Sequence, residues 1–347
     1  MRKPRSVRDA DVAGKRVLVR SDLNVPLDGG RVADETRIQA SLPTLTFLLE
    51  RDVAGVRVCS HLGRPKGPDP AFSIEPVRAR LRELLPDQRI EVLENTRFNP
   101  GETENDPAFA DELADRCDLF VEDAFGSVHR AHASTVGVAE LLPAYAGLLL
   151  ERELEQLGRL LGDVDRPFVL VSGGAKVEDK LGVLRQLGGK ADTVLIGGKM
   201  AEELRDQDAL DFEVVLPVDV VAAASFEAEA ESAVCAFDDL PEGWLGLDIG
   251  PETRERFGSE LSESRTIFWN GPMGVFEWPR FAAGTRAVAE AVAEAEAFSV
   301  VGGADSIRAL NELGLTDRVS WASTGGGAAL ELLEGKQLPG VAVIPAE

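Results

Sequence analysis

The chain has 347 residues and carries 60 Asp and Glu residues against 37 Lys and Arg residues, so its formal net charge is −23. A surface this acidic argues against nucleic acid and anionic membranes as partners, because both bind through an excess of positive charge. With 44% hydrophobic residues, the chain has enough apolar material for two cores, which excludes global disorder and predicts two domains.

Neither secretion nor membrane insertion is predicted. The longest apolar stretch, at 141–150, contains Pro143 and is too short to span a bilayer, and no apolar segment follows the basic residues of 1–11. The three cysteines are scattered, which predicts neither a disulfide framework nor a zinc site. We therefore expect a soluble cytoplasmic protein. Its acid-rich composition fits either adaptation to high internal salt or a GC-rich genome, and composition does not separate the two.

Short β-branched or apolar runs alternate with amphipathic stretches along the whole chain. The predicted strands are, in chain order, 16–20, 56–60, 90–93, 119–122, 168–172, 193–196, 266–269, 299–301 and 319–323. The predicted helices include 38–50, 77–85, 177–187 and 285–297, and a further helix at 148–162 is expected to connect two domains. This alternation predicts βαβ units and parallel sheets.

Polar and cationic residues follow the predicted strands of the first half. The segments are SDLNVP at 21–26, HLGRPKG at 61–67, ENTRF at 94–98 and DAFGSVHRAH at 123–132, and they contain all three histidines. Ligands of open parallel sheets bind beyond the carboxyl ends of the strands. Since the Arg fork suits carboxylate and phosphate, this grouping in an acidic protein predicts an anion site.

Glycine follows the predicted strands of the second half. The segments are GGAKVEDK at 173–180, GGKM at 197–200, NGPMG at 270–274, GGADS at 302–306 and TGGG at 324–327. Glycine allows close backbone approach, and free N–H groups at helix N-termini favour phosphate, so the recurrence predicts a nucleotide site. The chain lacks GxxxxGK[ST] and GxGxxG, which argues against a P-loop ATPase and a typical dinucleotide-binding dehydrogenase.

Together the two halves predict an enzyme with an anionic substrate on one lobe and a nucleotide on the other, brought together by closure. Segments over essentially the whole chain resemble the signatures of the phosphoglycerate kinase family, namely 21–26, 60–66, 93–98, 123–135, 173–180, 216–221, 269–277 and 323–335. The resemblance implies two Rossmann-like α/β lobes, each a parallel sheet flanked by helices, joined by a connecting helix and hinge. It implies a 3-phosphoglycerate-binding lobe at 1–150, with about 328–347 packing back onto it, and a nucleotide-binding lobe at 151–327.

The resemblance also implies roles for individual residues. Substrate binding is assigned to Asp22, Leu23, Asn24, Arg37, His61, Leu62, Gly63, Arg64, Arg97 and Arg130. Nucleotide binding is assigned to Lys176, Lys180, Gly197, Gly198, Gly246, Asn270, Glu277, Gly303, Ala304, Asp305 and Ser306. Catalysis is assigned to Arg37, Lys176, Lys180, Gly325, Gly326 and Gly327, and Asp305 is expected to bind the Mg²⁺ that accompanies ATP or ADP.

The implied reaction is reversible phosphoryl transfer between 1,3-bisphosphoglycerate with ADP and 3-phosphoglycerate with ATP, carried out by a monomer in glycolysis and gluconeogenesis. The acceptor carboxylate is already ionised at neutral pH, so positioning and charge neutralisation replace a general base. Lys199 and Ala304 stand where the family has glycines, and the chain is short between 205 and 214, which leaves base selectivity open. The alternatives are a Rossmann-type oxidoreductase, opposed by the missing GxGxxG, and a silent metabolite-binding protein, opposed by Lys176 and Lys180.

Overall fold

The computed structural model describes residues 3–205 and 210–346, and in it the chain divides into two compact units. The first unit takes in residues up to Glu155 and again from Gln337, and the second comprises Gln156–Lys336.

The first unit is built on a parallel sheet. Its strands are β1 (Arg16–Arg20), β2 (Leu27–Asp28), β3 (Arg31–Val32), β4 (Gly55–Cys59), β5 (Ile90–Val92), β6 (Leu119–Glu122) and β7 (Ala144–Ala146). Its helices are α1 (Thr36–Leu49), α2 (Glu75–Leu84), α3 (Gly101–Glu104), α4 (Pro107–Ala114), α5 (Val138–Leu141) and α6 (Leu148–Leu161), the last of which continues into the second unit. The strand order is β5-β4-β1-β6-β7, while β2 and β3 form a separate antiparallel hairpin.

The central position of β1 explains its composition. Arg16 pairs with Gly55 of β4 on one side, and Val17 pairs with Leu119 of β6 on the other. Apolar side chains on both faces are therefore buried, as expected for a parallel strand covered by helices. The loops after β1, β4, β5 and β6 consequently leave the same edge of the sheet.

The second unit contains a parallel and an antiparallel sheet. Its strands are β8 (Phe168–Ser172), β9 (Thr193–Ile196), β10 (Asp219–Ala223), β11 (Ser232–Ala236), β12 (Leu245–Ile249), β13 (Thr266–Asn270), β14 (Phe298–Gly302) and β15 (Trp321–Ala322). Its helices are α7 (Leu181–Gly188), α8 (Lys199–Arg205), α9 (Pro251–Ser262), α10 (Ala283–Glu294), α11 (Ala304–Glu312) and α12 (Gly327–Leu333). The parallel order is β15-β14-β13-β8-β9, and the antiparallel order is β11-β10-β12. A last helix, α13 (Pro339–Ala342), follows in the first unit.

The predicted α/β class with two parallel sheets is confirmed, and every predicted strand overlaps an observed one. The helix predicted from residue 177 begins only at Leu181, because the preceding residues form a loop. Helix α12 packs on α7, so the chain returns to the first unit at Gln337 and not near residue 328. The predicted assignment of ligands to lobes 1–150 and 151–327 stays a prediction.

Candidate active site

Asn24 joins two loops at the carboxyl edge of the first sheet, and Arg37 binds the first of them. Asp22 and Asn24 follow β1, and Arg37 lies in the first turn of α1. Its Nη1 donates to Oδ1 of Asp22 at 3.2 Å and to the backbone oxygen of Asn24 at 3.0 Å. The Oδ1 atom of Asn24 accepts the N–H of Gly63 at 2.8 Å, which ties the loop after β1 to the loop after β4. The Arg37 side chain remains 31% exposed and so is available to a ligand.

Leu23 and Leu62 anchor these loops to the hydrophobic core. Both side chains are buried in the core of the first unit, so only their backbone can face a ligand. The Leu62 N–H donates to Asn95 Oδ1 at 3.1 Å, and Asn95 Nδ2 returns a bond to the Leu62 oxygen at 2.8 Å. Arg97 Nη1 donates to the oxygen of Gly63 at 2.5 Å, which brings the loop after β5 into the same group.

His61 lies directly against Arg20, a residue that the sequence pattern did not single out. Arg20 is fully buried, and its Nη2 lies 2.9 Å from Nδ1 of His61. A guanidinium has only donors, so Nδ1 accepts and the imidazole proton is on Nε2. Arg20 Nε also donates to Ser134 Oγ at 2.8 Å. The one signal in the sequence was a cation ending the apolar run of β1.

Positive charge is concentrated around His61. Burial is the main reason why the pKa of His61 lies well below its usual 6.5. The positive charges of four neighbouring guanidiniums lower it further, and they belong to Arg20, Arg97, Arg130 and Arg37. Burial also lowers the pKa of Arg97, and the charges of Arg130, Arg20 and Arg64 lower it further. The Nε of Arg97 is buried and has no hydrogen-bond partner within the described residues. The predicted cations of this unit therefore converge.

A buried carboxylate, Glu102, balances part of this charge. It accepts from Ser134 Oγ at 2.6 Å and from Thr96 Oγ1 at 3.1 Å, and Ser134 also contacts Arg20. Burial would raise the pKa of Glu102, but the His132 imidazole, 3.7 Å away, and the charge of Arg20 lower it to about 2. Glu102 was not singled out from the sequence, because it lies in α3 and not directly after a strand.

In the second unit, contacts between loops explain several glycines. A Cβ on Gly173 would collide with the oxygen of Pro272, and one on Gly197 would collide with Met273. Gly198 has a φ of +65°, and a Cβ there would lie 2.8 Å from N and O of Gly174. Close loop packing is therefore one reason for these glycines, and their predicted role toward a nucleotide stays a prediction.

The charge of Asp305 acts on Lys180 in this unit. Lys180 precedes α7; burial lowers its pKa, against the opposing influence of the Asp179 and Asp305 carboxylates. Asp305, in the first turn of α11 beside Ala304, is 60% exposed. The Arg308 guanidinium lies 3.9 Å from Asp305 and also binds Glu277 directly. Arg308 was missed from the sequence, although its i,i+3 spacing from Asp305 was a usable signal.

The loops after β13 and β14 meet at Asn270. Its side chain is 2% exposed, and both amide atoms lack a hydrogen-bond partner among the described residues. Gly303, with a φ of +89°, passes so close that an added Cβ would lie 2.9 Å from Asn270 Nδ2. Ser306 Oγ accepts the N–H of Gly271 at 2.7 Å. Asn270 thus offers a buried donor and acceptor beside the loop that carries Asp305.

The other residues predicted to bind the nucleotide lie on separate segments of the unit. Lys176 is exposed in the loop after β8. Gly326 has a φ of +53° and precedes α12, which begins at Gly327, and the N–H of Gly325 donates to Ser323 Oγ at 3.3 Å. Gly246 lies in β12, and its N–H donates to Glu202 Oε1 at 3.3 Å.

The described residues contain neither a preformed metal cage nor a membrane span. Over 3–205 and 210–346, no group of three or more His, Cys, Asp or Glu side chains is placed to hold a metal ion by itself. In the same part of the chain, no helix combines the length and apolarity needed to cross a membrane. The shortened segment between 205 and 214 lies partly outside the described residues, at 206–209.

The converging arginines of the first unit and the glycine loops beside a partly buried lysine in the second unit fit a phosphotransferase of the kinase class. A family model described as phosphoglycerate kinase matches residues 7–209 and 201–336. The chain belongs to the phosphoglycerate kinase family, as the sequence predicted, and the glycolytic role follows from that membership.

Individual relatives span nearly the whole chain. Phosphoglycerate kinase of Rubrobacter xylanophilus is 52% identical over 385 residues, and that of Thermus thermophilus is 49% identical over 388. These alignments cover 98% of this chain and 98% and 99% of the relatives. Among solved structures, phosphoglycerate kinase of Coxiella burnetii aligns with a TM-score of 0.86 at 36% identity, covering 98% of both chains. That of Pyrococcus horikoshii aligns with a TM-score of 0.84 at 31% identity and the same coverage.

Proposed function

We propose that the chain transfers a phosphoryl group reversibly between 1,3-bisphosphoglycerate with ADP and 3-phosphoglycerate with ATP. The observation that carries this proposal is the set of guanidiniums around His61 and Arg97. Arg20, Arg37, Arg97 and Arg130 act on His61, and Arg64 acts on Arg97. Like charges placed together destabilise one another, so such a group favours an anionic ligand. 3-Phosphoglycerate brings two anionic groups, a carboxylate and a phosphate.

On the first unit, we assign the substrate to the loops after β1 and β4, which Asn24 joins. Asp22 and Asn24 are assigned to its hydroxyl and carboxylate end, where Arg37 is already held by both residues. Arg64, Arg97 and Arg130 are assigned to the phosphate. His61 would donate through Nε2–H as a neutral group, and Leu23, Leu62 and Gly63 would contribute backbone only.

On the second unit, we assign the nucleotide to the glycine loops. Lys176 and Lys180 are assigned to its phosphates, Glu277 to the ribose, and Gly246 to the base. Gly197, Gly198, Asn270, Gly303, Ala304 and Ser306 are assigned to the remaining contacts. The unpartnered amide of Asn270 supports this assignment, because a buried polar group without a partner is costly.

The residues present fit Mg²⁺ bound together with a nucleotide. Mg²⁺ commonly takes one or two protein carboxylates and completes its shell with phosphate oxygens and water. Asp305 is an exposed carboxylate whose charge acts on Lys180. One such carboxylate suits Mg²⁺ that is bound with a nucleotide better than it suits a closed metal cage. When bound, the ion would neutralise charge on phosphate oxygens.

The proposed chemistry relies on charge and position. The acceptor carboxylate needs no deprotonation, so Arg37, Lys180 and the N–H groups of Gly325–327 would act by neutralising the transferred phosphoryl group. Since the two ligands are assigned to different units, we propose a hinge movement before transfer. We also infer a monomer in the cytoplasm, with neither nucleic acid nor membrane as a partner.

A coupled assay with ATP, Mg²⁺ and 3-phosphoglycerate tests the proposal. ADP should form only when all three are present, and replacing 3-phosphoglycerate with glycerate should abolish it. A silent binding protein would bind the ligands without forming ADP, and an oxidoreductase would turn over a nicotinamide cofactor instead. Light scattering during gel filtration tests the monomer, for which a mass near 37.2 kDa is expected.

A further inference from the structure

A narrow slot in the second unit lies between the loop after β9 and strand β12. Apolar side chains, including Val220, Phe237 and Met273, form much of its wall, and Glu202 and Asp248 are its two carboxylates. Its free volume is about 10 Å³, which is room for about one water molecule. Apolar walls with a few polar groups suit a heteroaromatic ring, which would enter only when the walls move apart, because the present space holds about one water.

The two carboxylates in the slot differ in how their oxygens are used. Asp248 is 3% exposed, and its oxygens accept the N–H groups of Ile249 at 2.9 Å and Gly284 at 2.7 Å. Glu202, on α8, is partly exposed. It accepts one hydrogen bond within the described residues, from the Gly246 N–H at 3.3 Å. Asp248 is therefore committed to the backbone, whereas Glu202 keeps accepting capacity for a ligand.

Glu202 and Gly246 together present an acceptor beside a donor. We propose that this pair selects adenine over the 6-oxopurines, an inference that rests on the proposed nucleotide-binding function of this unit. Adenine carries the complementary pattern on adjacent atoms, because its 6-amino group donates and its N1 accepts. Hypoxanthine and guanine reverse it, so O6 would face the Glu202 carboxylate and N1–H would face the Gly246 N–H. Both contacts would then be repulsive and leave desolvated groups unpaired.

The glycine at 246 agrees with this selection. One bond of 3.3 Å joins Glu202 and Gly246, and adenine would replace it with two bonds. A Cβ at Gly246 would lie 2.9 Å from Glu202 Oε1 and would crowd the acceptor. The register of β10 and β12 also shifts beside Gly246, where Ala222 pairs with Gly246 but Val221 pairs with Asp248.

Calorimetric titration of the full chain with ADP and IDP, each with Mg²⁺, tests the inference. The wild type should bind ADP about tenfold to a hundredfold more tightly than IDP, in line with a hydrogen bond to a charged acceptor. Glu202→Gln should lose most of this preference, because the amide can donate to O6. Glu202→Ala should also lose it, chiefly through weaker binding of ADP. The control Glu290→Gln removes an exposed carboxylate of α10 and should leave the preference unchanged.

The outcomes separate this inference from the function on which it rests. If the wild type binds ADP but the ADP-to-IDP ratio is the same in both Glu202 variants, Glu202 does not select the base and the kinase proposal stands. If the wild type binds neither nucleotide, the nucleotide assignment of this unit is wrong, and the selection falls with it. A lowered ratio in both variants, with the Glu290 control unchanged, supports the inference.

Discussion

The buried guanidinium of Arg20 donates to Nδ1 of His61 across 2.9 Å and thereby determines which ring nitrogen carries the proton. Burial and the surrounding arginines keep the pKa of His61 well below 6.5. At neutral pH His61 is therefore an uncharged donor through Nε2 within a cationic group. Arg20 is a positioning residue in this arrangement, because it acts on a ligand through the imidazole.

Replacing His61 separates a donor role from a charge role. His61→Gln retains an amide donor and should raise the KM for 3-phosphoglycerate less than His61→Ala, for which about tenfold to a hundredfold is expected. Steady-state kinetics from pH 5.5 to 8 and ¹⁵N NMR of the wild-type imidazole check this. The substrate phosphate itself titrates at about pH 6, so any inflection of the KM in this range should be the same in the wild type and in His61→Gln. In the NMR spectrum, Nδ1 should be the unprotonated nitrogen. An inflection of the KM that disappears in His61→Gln would mean that the charged imidazole binds the substrate.

The link from Glu102 through Ser134 to Arg20 predicts a large loss of stability on removing the carboxylate charge. Glu102→Gln leaves a buried cation without its counter-charge, and about 3–5 kcal/mol of unfolding free energy should be lost. Urea unfolding followed by circular dichroism checks this loss. The exposed control Glu112→Gln should change little.

The interaction of Glu102 with Arg20 also makes the free energy of unfolding depend on pH. Folding lowers the pKa of Glu102 from 4.5 to about 2, so its stabilisation is complete above pH 4.5 and is lost as the pH falls toward 2. Glu102→Gln should lack this component of the acid transition. An unchanged acid transition in the variant would show that the Glu102 carboxylate is not stabilised by the fold.

Gly198 and Gly189 form a matched pair for the loop packing in the second unit. Gly198 has a φ of +65° and would place a Cβ 2.8 Å from the Gly174 backbone, whereas Gly189 has a φ of −67° and open space around it. Gly198→Ala should cost at least about 1–2 kcal/mol, and Gly189→Ala should stay within about 0.5 kcal/mol. Trp269 is buried in this unit and reports its unfolding by fluorescence. Equal effects of the two substitutions would remove loop contact as the reason for Gly198.

Strands buried on both faces were the most predictable part of the fold. Strand β6 is an apolar run that is buried throughout, and its sequence bounds equal its structural ones. The antiparallel strands β10 and β11 were not predicted, because 222–233 is rich in Ala and Glu and has little strand propensity. Pairing with neighbouring strands overrides that local preference.

Residue types at strand ends predicted the converging cations of the first unit, but they could not reveal partners distant in sequence. Arg20 meets His61 only because β1 and β4 are neighbours in the sheet, and Arg308 meets Glu277 only through the folding of the second unit. The glycine segments were correctly placed after strands. The loop contacts at Gly173, Gly197 and Gly198 depend on distances that a sequence does not contain.

The net charge of −23 predicts that salt stabilises the chain. The screening length falls from about 10 Å at 0.1 M to about 3 Å at 1 M, which weakens repulsion among surface carboxylates. The thermal midpoint should therefore rise by several degrees between these KCl concentrations. NaCl should act equally if screening is the cause. A midpoint that does not respond to either salt would contradict adaptation of this surface to high internal salt.

Lys180 and Arg37 are expected to matter for turnover more than for folding. Each is assigned to neutralising charge on the transferred phosphoryl group, so Lys180→Ala or Arg37→Ala should lower kcat by roughly a hundredfold to a thousandfold. The exposed controls Lys336→Ala and Arg116→Ala should keep near-normal kcat. Thermal midpoints should shift little, since Arg37 is partly exposed and burial of the charged Lys180 is itself unfavourable. Near-full turnover in either active-site variant would remove that residue from the proposed mechanism.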